Sequence, residues 1–182
     1  MTYANGSSLV IGTLAPPLEL PDTKGNLTTL PLPGEVRATV VFWTSNQCPY
    51  ALGWHDRLME VARDYAFAGV QFLAVNSNDA ERFPADSLQA MRDRVAEEVW
   101  PCPYLRDEEQ GAATAWGPRT TPDIFVLDSE LRLRYRGAPD ADHEDPTQNA
   151  AWLRSALDAV LSNRDPEPAE TDPAGCSIGW RQ

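Results

Sequence analysis

Cysteine is scarce in this chain: 182 residues hold Cys48, Cys102 and Cys176 and no others. Three cysteines so scattered are too few to staple a small secreted scaffold, and at least one is expected to be a free thiol. Long hydrophobic runs are missing too. None approaches the roughly 20 apolar residues that span a bilayer, and Met1–Ser8 lacks the basic-then-apolar pattern of a secretory leader. The cytoplasm is therefore the expected location. Positive charge is short as well: 15 Lys and Arg against 27 Asp and Glu leave a formal net charge of -12, which argues against nucleic acid or an anionic membrane as partner. Histidine occurs twice. His55 lies two helical turns, roughly 10 Å, beyond Cys48, too far to be its base. His143 sits among Asp140, Asp142, Glu144 and Asp145, a loop expected to be solvated rather than metal-binding. No cysteine spacing carries a metal signal, so neither metal nor cofactor is expected.

What is present suits one core and a tail: 42% hydrophobic residues and six Trp offset the entropy of ordering most of the backbone. The pattern predicts a domain over residues 1–162 and a Pro- and acid-rich tail over 163–182 that carries Cys176. Two short extended pieces near Leu18–Leu20 and Leu27–Leu30 flank a turn-rich stretch and read as a hairpin. Ala38–Trp43 is β-branched and aromatic without alternation, as in a strand buried on both faces. Pro49 opens a helix with Leu52, Leu58, Met59, Ala62 and Tyr65 inward, and Val70–Val75 is a second buried strand. Leu88, Met91, Val95 and Val99 mark the next helix, Pro103–Leu105 an extended piece, and Glu108–Trp116 a helix stopped by Gly117-Pro118. Ile124–Leu127 and Leu131–Tyr135 are too close for a crossover and form an antiparallel hairpin, followed by a helix over Thr147–Ser162. A parallel βαβ half joined to a ββα half is the order of a thioredoxin fold, α/β with a mixed sheet flanked by helices.

Cys48 stands between a polar turn, Thr44–Gln47, and the helix that Pro49 opens. The unpaired N–H groups and the positive dipole end of a helix stabilise a thiolate, which is the nucleophilic form of cysteine. An arbitrary cysteine is more often a small buried hydrophobe. Here the polar neighbours Asn46 and Gln47 and the helix-opening proline favour reactivity.

The segment Val41-Phe42-Trp43-Thr44-Ser45-Asn46-Gln47-Cys48-Pro49-Tyr50 resembles the active-site segment of the thioredoxin-like superfamily, and within it the redoxin group of alkyl hydroperoxide reductase and thiol-specific antioxidant proteins. Asn76-Ser77-Asn78-Asp79, Pro103-Tyr104-Leu105-Arg106-Asp107, Thr121-Pro122-Asp123 and the closing Gly175-Cys176-Ser177-Ile178-Gly179-Trp180 extend the resemblance along nearly the whole chain. It implies a thiol-dependent oxidoreductase or antioxidant protein in which Cys48 attacks a peroxide, or a protein or small-molecule disulfide, and a thiol electron donor restores it. By the same resemblance Ser45 is a catalytic hydroxyl, Pro122 a cis proline beside the cysteine, and Thr121, Pro49 and Trp43 join it around the substrate. The chain departs from the patterns at three points. Ala51 replaces the second cysteine of C-x-x-C, Val41 replaces the proline of the peroxiredoxin loop, and Pro122 stands where that family's arginine aligns.

With no thiol at position 51, a product on Cys48 needs a distant partner. Cys176 is preferred over Cys102, which precedes a parallel strand and is expected at the opposite sheet edge as a packing residue. The chain from Ser162 to Cys176 spans up to roughly 45 Å when extended, enough to fold back or to reach a neighbouring subunit in a homodimer. Ile178 and Trp180 are candidate anchors for that tail. Arg119 and Arg136 are candidates to approach Cys48, with ion pairing to the excess carboxylates the commoner fate. The contrasting reading is a non-catalytic redox sensor or client-binding module.

Overall fold

The computed structural model describes residues 9–182, so Met1–Ser8, read above for a leader pattern, lies outside the described residues. A short antiparallel hairpin, β1 (Glu19–Pro21) and β2 (Leu27–Thr29), precedes the core. The core runs β3 (Ala38–Trp43), α1 (Pro49–Tyr65), β4 (Val70–Asn76), α2 (Leu88–Glu97), β5 (Tyr104–Arg106), α3 (Gly111–Trp116), β6 (Asp123–Asp128), β7 (Leu133–Gly137) and α4 (Ala151–Leu161). The five-stranded sheet has the order β5-β4-β3-β6-β7. Its β3–β4 and β4–β5 pairs are parallel, and its β3–β6 and β6–β7 pairs antiparallel. This is the thioredoxin-like arrangement.

β3 is central, and its unbroken apolar run follows from that position. Val40 and Phe42 face Trp54, Leu58, Leu153 and Leu157 of α1 and α4, while Val41 and Trp43 face Ala113 and Trp116 of α3. Every β3 side chain is buried, which forbids the polar alternation of a half-exposed strand.

Local hydrogen bonding moved several expected boundaries. The Asp145 carboxylate accepts the Thr147 N–H at 2.9 Å and the Thr147 hydroxyl at 2.7 Å, holding this stretch in a turn, so α4 starts at Ala151 and not at Thr147. Asp107 accepts the Ala113 N–H at 2.8 Å and caps α3, leaving Glu108–Gln110 outside that helix. Two apolar assignments are corrected. Leu52 is 45% exposed on the first turns of α1, whose inner face is Ala51, Trp54, His55, Leu58 and Met59. Val99 is 86% exposed because α2 ends at Glu97 and the chain turns extended at Glu98. The Asp140–Asp145 loop is not simply solvated: buried Asp140 accepts from the Trp54 indole at 2.6 Å and pairs with Arg57, and His143 stacks on Tyr50 with ring centroids 4.0 Å apart.

Residues 163–182 pack back onto the domain. Ala169 and Thr171 exchange backbone hydrogen bonds with Arg136, each at 3.0 Å, which covers the β7 edge of the sheet. Further on, Cys176 pairs antiparallel with Thr121, and Ile178 joins the core on the α3 face. Full burial of such a side chain contributes about 2 kcal/mol. Ile178 is therefore the anchor. Trp180, the other candidate, is 42% exposed.

Candidate active site at Cys48

The loop that presents Cys48 is held from below by one carboxylate. Asp86, fully buried in a short 3-10 turn over Pro84–Asp86, accepts hydrogen bonds from the Ser45 hydroxyl (2.9 Å) and the Asn46 N–H (2.7 Å). It also accepts from the side-chain amides of Gln47 (3.1 Å), Asn76 (2.8 Å) and Asn78 (2.8 Å). Ser45 in turn accepts the N–H groups of Gln47 and Cys48, both at 3.2 Å. The hydroxyl is thus committed to the loop and to Asp86. It places the Cys48 backbone and is not aimed at the sulfur.

Cys48 is the N-cap of α1, with Pro49 exposed at the first helical position and no acidic side chain in the first turn to oppose an anion. Its sulfur faces the Thr121–Pro122 turn, whose peptide bond is cis. The thiol donates to the Thr121 carbonyl at 2.9 Å, and the Thr121 N–H donates to the Cys176 carbonyl at 2.8 Å. The Cys176 side chain approaches Cys48 closely enough to favour its ionised form. The structure therefore brings Cys48, Cys176, Thr121 and Pro122 together.

The two sulfurs are electrostatically unlike. Burial pushes the Cys48 thiol up, but the Cys176 thiol, Thr121 and the Ala51 and Cys176 backbone outweigh it and hold Cys48 below the ordinary thiol value. Burial, then the hydrogen bond and negative charge offered by Cys48, push Cys176 up to about 11. Cys48 is therefore the more readily ionised of the two thiols, its proton held by the Thr121 carbonyl in the resting site, and Cys176 the one that keeps its proton. Thr121 Oγ1 is buried without any hydrogen-bond partner, which leaves its proton for the Cys48 sulfur once that ionises.

The other candidates lie elsewhere. Trp43 is fully buried, donates its indole N–H to Ser77 at 2.9 Å, and packs on Trp116 and Phe125, so it supports the floor of the sheet. Arg119 and Arg136 pair with fully buried Asp123, at 3.3 and 3.0 Å, and Arg119 also with Glu170, so both meet the ion-pairing fate. His55 pairs with Glu98 at 2.9 Å. Cys102 borders a surface hollow with Trp100 and Tyr104, and burial of its sulfur pushes that thiol up to about 12. Among the described residues, no cluster of three His, Cys, Asp or Glu could hold a metal ion.

Asp86 is the residue that sequence reading missed. Its signal was the Asn76-Ser77-Asn78 run that closes β4: two side-chain amides at a buried strand end require an acceptor. Gln110 was missed as well. Its side-chain amide donates to the Ser77 carbonyl at 2.7 Å and to the Gly179 carbonyl at 2.9 Å, tying the tail to the end of the sheet.

The AhpC/TSA family model matches residues 11–136, and the chain belongs to that family. The thiol:disulfide interchange protein DsbE of Allochromatium vinosum is 31% identical over 128 residues, and the chain spans 63% of that protein's length and uses 67% of its own in the match. Two crystal structures share the full architecture. A hypothetical protein from Sinorhizobium meliloti 1021 is 38% identical with a TM-score of 0.90, covering 96% of this chain and 97% of that one. An uncharacterized conserved protein from Geobacillus kaustophilus is 37% identical with a TM-score of 0.86, covering 96% and 94%.

Proposed function

We propose that Cys48 and Cys176 form a reversible dithiol–disulfide pair that reduces disulfides in other proteins. The supporting observation is the antiparallel pairing of Cys176 with Thr121, the residue whose carbonyl accepts from the Cys48 thiol, and the two thiols' acidities are driven in opposite directions. In the forward reaction the Cys48 thiolate attacks one sulfur of a client disulfide, forms a mixed disulfide and expels the client's other sulfur as a thiolate. Cys176, giving up its proton, then attacks Cys48 and expels the remaining client sulfur. The client gains two electrons and two protons, and the protein is left with a Cys48–Cys176 disulfide. A small-molecule or protein dithiol donor regenerates it by the same chemistry.

Disulfide exchange is preferred over peroxide reduction because both candidate arginines, Arg119 and Arg136, are paired with Asp123, and Ser45 with Asp86. A peroxide site needs polarising groups free to face the oxygen that departs. The kinship with a thiol:disulfide interchange protein supports the same choice. The test is reduction of a disulfide-bonded protein such as insulin in the presence of dithiothreitol. Wild type is expected to accelerate it, Cys48→Ser to abolish the acceleration, and Cys176→Ser to accumulate client bound to Cys48. Faster turnover of hydrogen peroxide than of insulin under the same donor contradicts the proposal.

A further inference from the structure

The tail does more than bring a thiol to Cys48. It lies across the site as an extended strand, and independent contacts hold it there. The Thr121 N–H donates to the Cys176 carbonyl at 2.8 Å. The Gly179 N–H donates to the Asn78 side chain at 2.7 Å, and its carbonyl accepts from the Asp79 N–H at 2.8 Å and from Gln110 at 2.9 Å. Arg82 donates to the Trp180 carbonyl at 2.9 Å, and Ile178 is 5% exposed. Two glycines permit this fit. A Cβ at Gly175, where φ is +158°, would collide with the Thr121 carbonyl, and one at Gly179 with the Phe83 ring. Beneath the strand, Cys48 is 3% exposed. The nucleophile that must meet a client is covered by a cysteine-bearing strand of its own chain.

We infer that residues 175–181 are a tethered pseudosubstrate: they fill the groove between the Thr121–Pro122 turn and the Asn78–Asp79 loop where an extended, cysteine-bearing client segment binds, and a client reaches Cys48 by displacing them. The nature of the contacts defines the partner. The groove holds its occupant mainly through backbone carbonyls and N–H groups, with one apolar side chain buried two residues after the cysteine. Such recognition suits an unfolded or loop segment of a protein with an apolar residue two positions after its cysteine, as in strand addition to an open backbone edge. Because the strap is on the same chain, it competes at an effective concentration in the millimolar range, which sets the affinity a client must exceed. What the client undergoes rests on the redox reading above, whereas the covering of Cys48 does not.

The experiment is the rate at which iodoacetamide alkylates Cys48, read by mass spectrometry of the peptide carrying it, in wild type and in Gly175→Ala and Gly179→Ala. Read at about pH 10, above the ordinary thiol range, where losing the Cys176 donor no longer limits the thiolate, both variants are expected to react at least about tenfold faster, since each opposes strap docking at a different point and changes neither cysteine. A synthetic peptide of residues 172–182 with serine for cysteine, added to Gly179→Ala, is expected to slow the reaction again. The Thr121 amide in wild type is expected to be protected from hydrogen exchange by its bond to Cys176. Unchanged alkylation in both variants, or free exchange of the Thr121 amide, overturns the proposal. Neither readout needs turnover, so loss of the strap and loss of disulfide reductase activity are separable results.

Discussion

The Thr121 backbone N–H and the Cys176 carbonyl are joined at 2.8 Å, so the strand that carries the second thiol is registered against the turn that faces the first. This single bond fixes which residue of the tail opposes Cys48. Ser177, the next residue, is exposed. Acidity and geometry then act together, because the Cys176 thiol can stabilise the Cys48 anion only while that register holds.

Removing the donor should raise the Cys48 pKa. Cys176→Ala deletes the first of the groups that favour the thiolate, so the midpoint of the alkylation rate against pH is expected to rise and the rate at pH 7 to fall in proportion to the lost thiolate. Cys176→Ser keeps an O–H donor and should leave the midpoint closer to wild type. A midpoint that does not move in Cys176→Ala contradicts this assignment.

Thr121→Val removes a hydroxyl that has no other partner and keeps the shape of the side chain. Its expected signature is a raised Cys48 midpoint without loss of stability, because a buried unpaired polar group has been replaced by a methyl. The check is a pH profile of alkylation alongside urea unfolding. A marked stability loss would show that the hydroxyl has a structural partner instead.

Asp86→Ala leaves the donors of Ser45, Asn46, Gln47, Asn76 and Asn78 without their shared acceptor in a fully buried site. A cost of about 3 kcal/mol is expected in urea denaturation, together with slower Cys48 alkylation as the loop loses its shape.

Arg136→Met removes one of the two guanidinium partners of Asp123, which is fully buried at the start of β6, and leaves Arg119 at 3.3 Å. The cost expected in urea denaturation is therefore below the roughly 3–5 kcal/mol of a buried carboxylate left with no partner. Because Arg136 also holds the tail through its backbone at Ala169 and Thr171, which the substitution preserves, the Thr121 amide should remain protected at low denaturant.

The central strand was legible because burial on both faces gives Ala38–Trp43 a pattern no exposed element shows. The placement of Cys48 was legible for a different reason: Pro49 marks the first helical turn by its own chemistry. Apolar letters misled where their position in three dimensions was not periodic, as at Leu52 and Val99. The bond that holds Ser45 was not legible because its acceptor, Asp86, lies 41 residues away in sequence, and no local pattern announces a long-range hydrogen bond. Chain length showed that Cys176 could reach the site, but its register on Thr121 depends on close approaches at Gly175 and Gly179 that only the folded chain reveals.

The most direct test is disulfide mapping by mass spectrometry after one equivalent of oxidised glutathione or of disulfide-bonded insulin. An intramolecular Cys48–Cys176 bond, formed in a monomer and leaving Cys102 reduced, is the predicted product. Cys48 recovered as a free thiol, or bonded to Cys102 or to a second chain, would contradict the account.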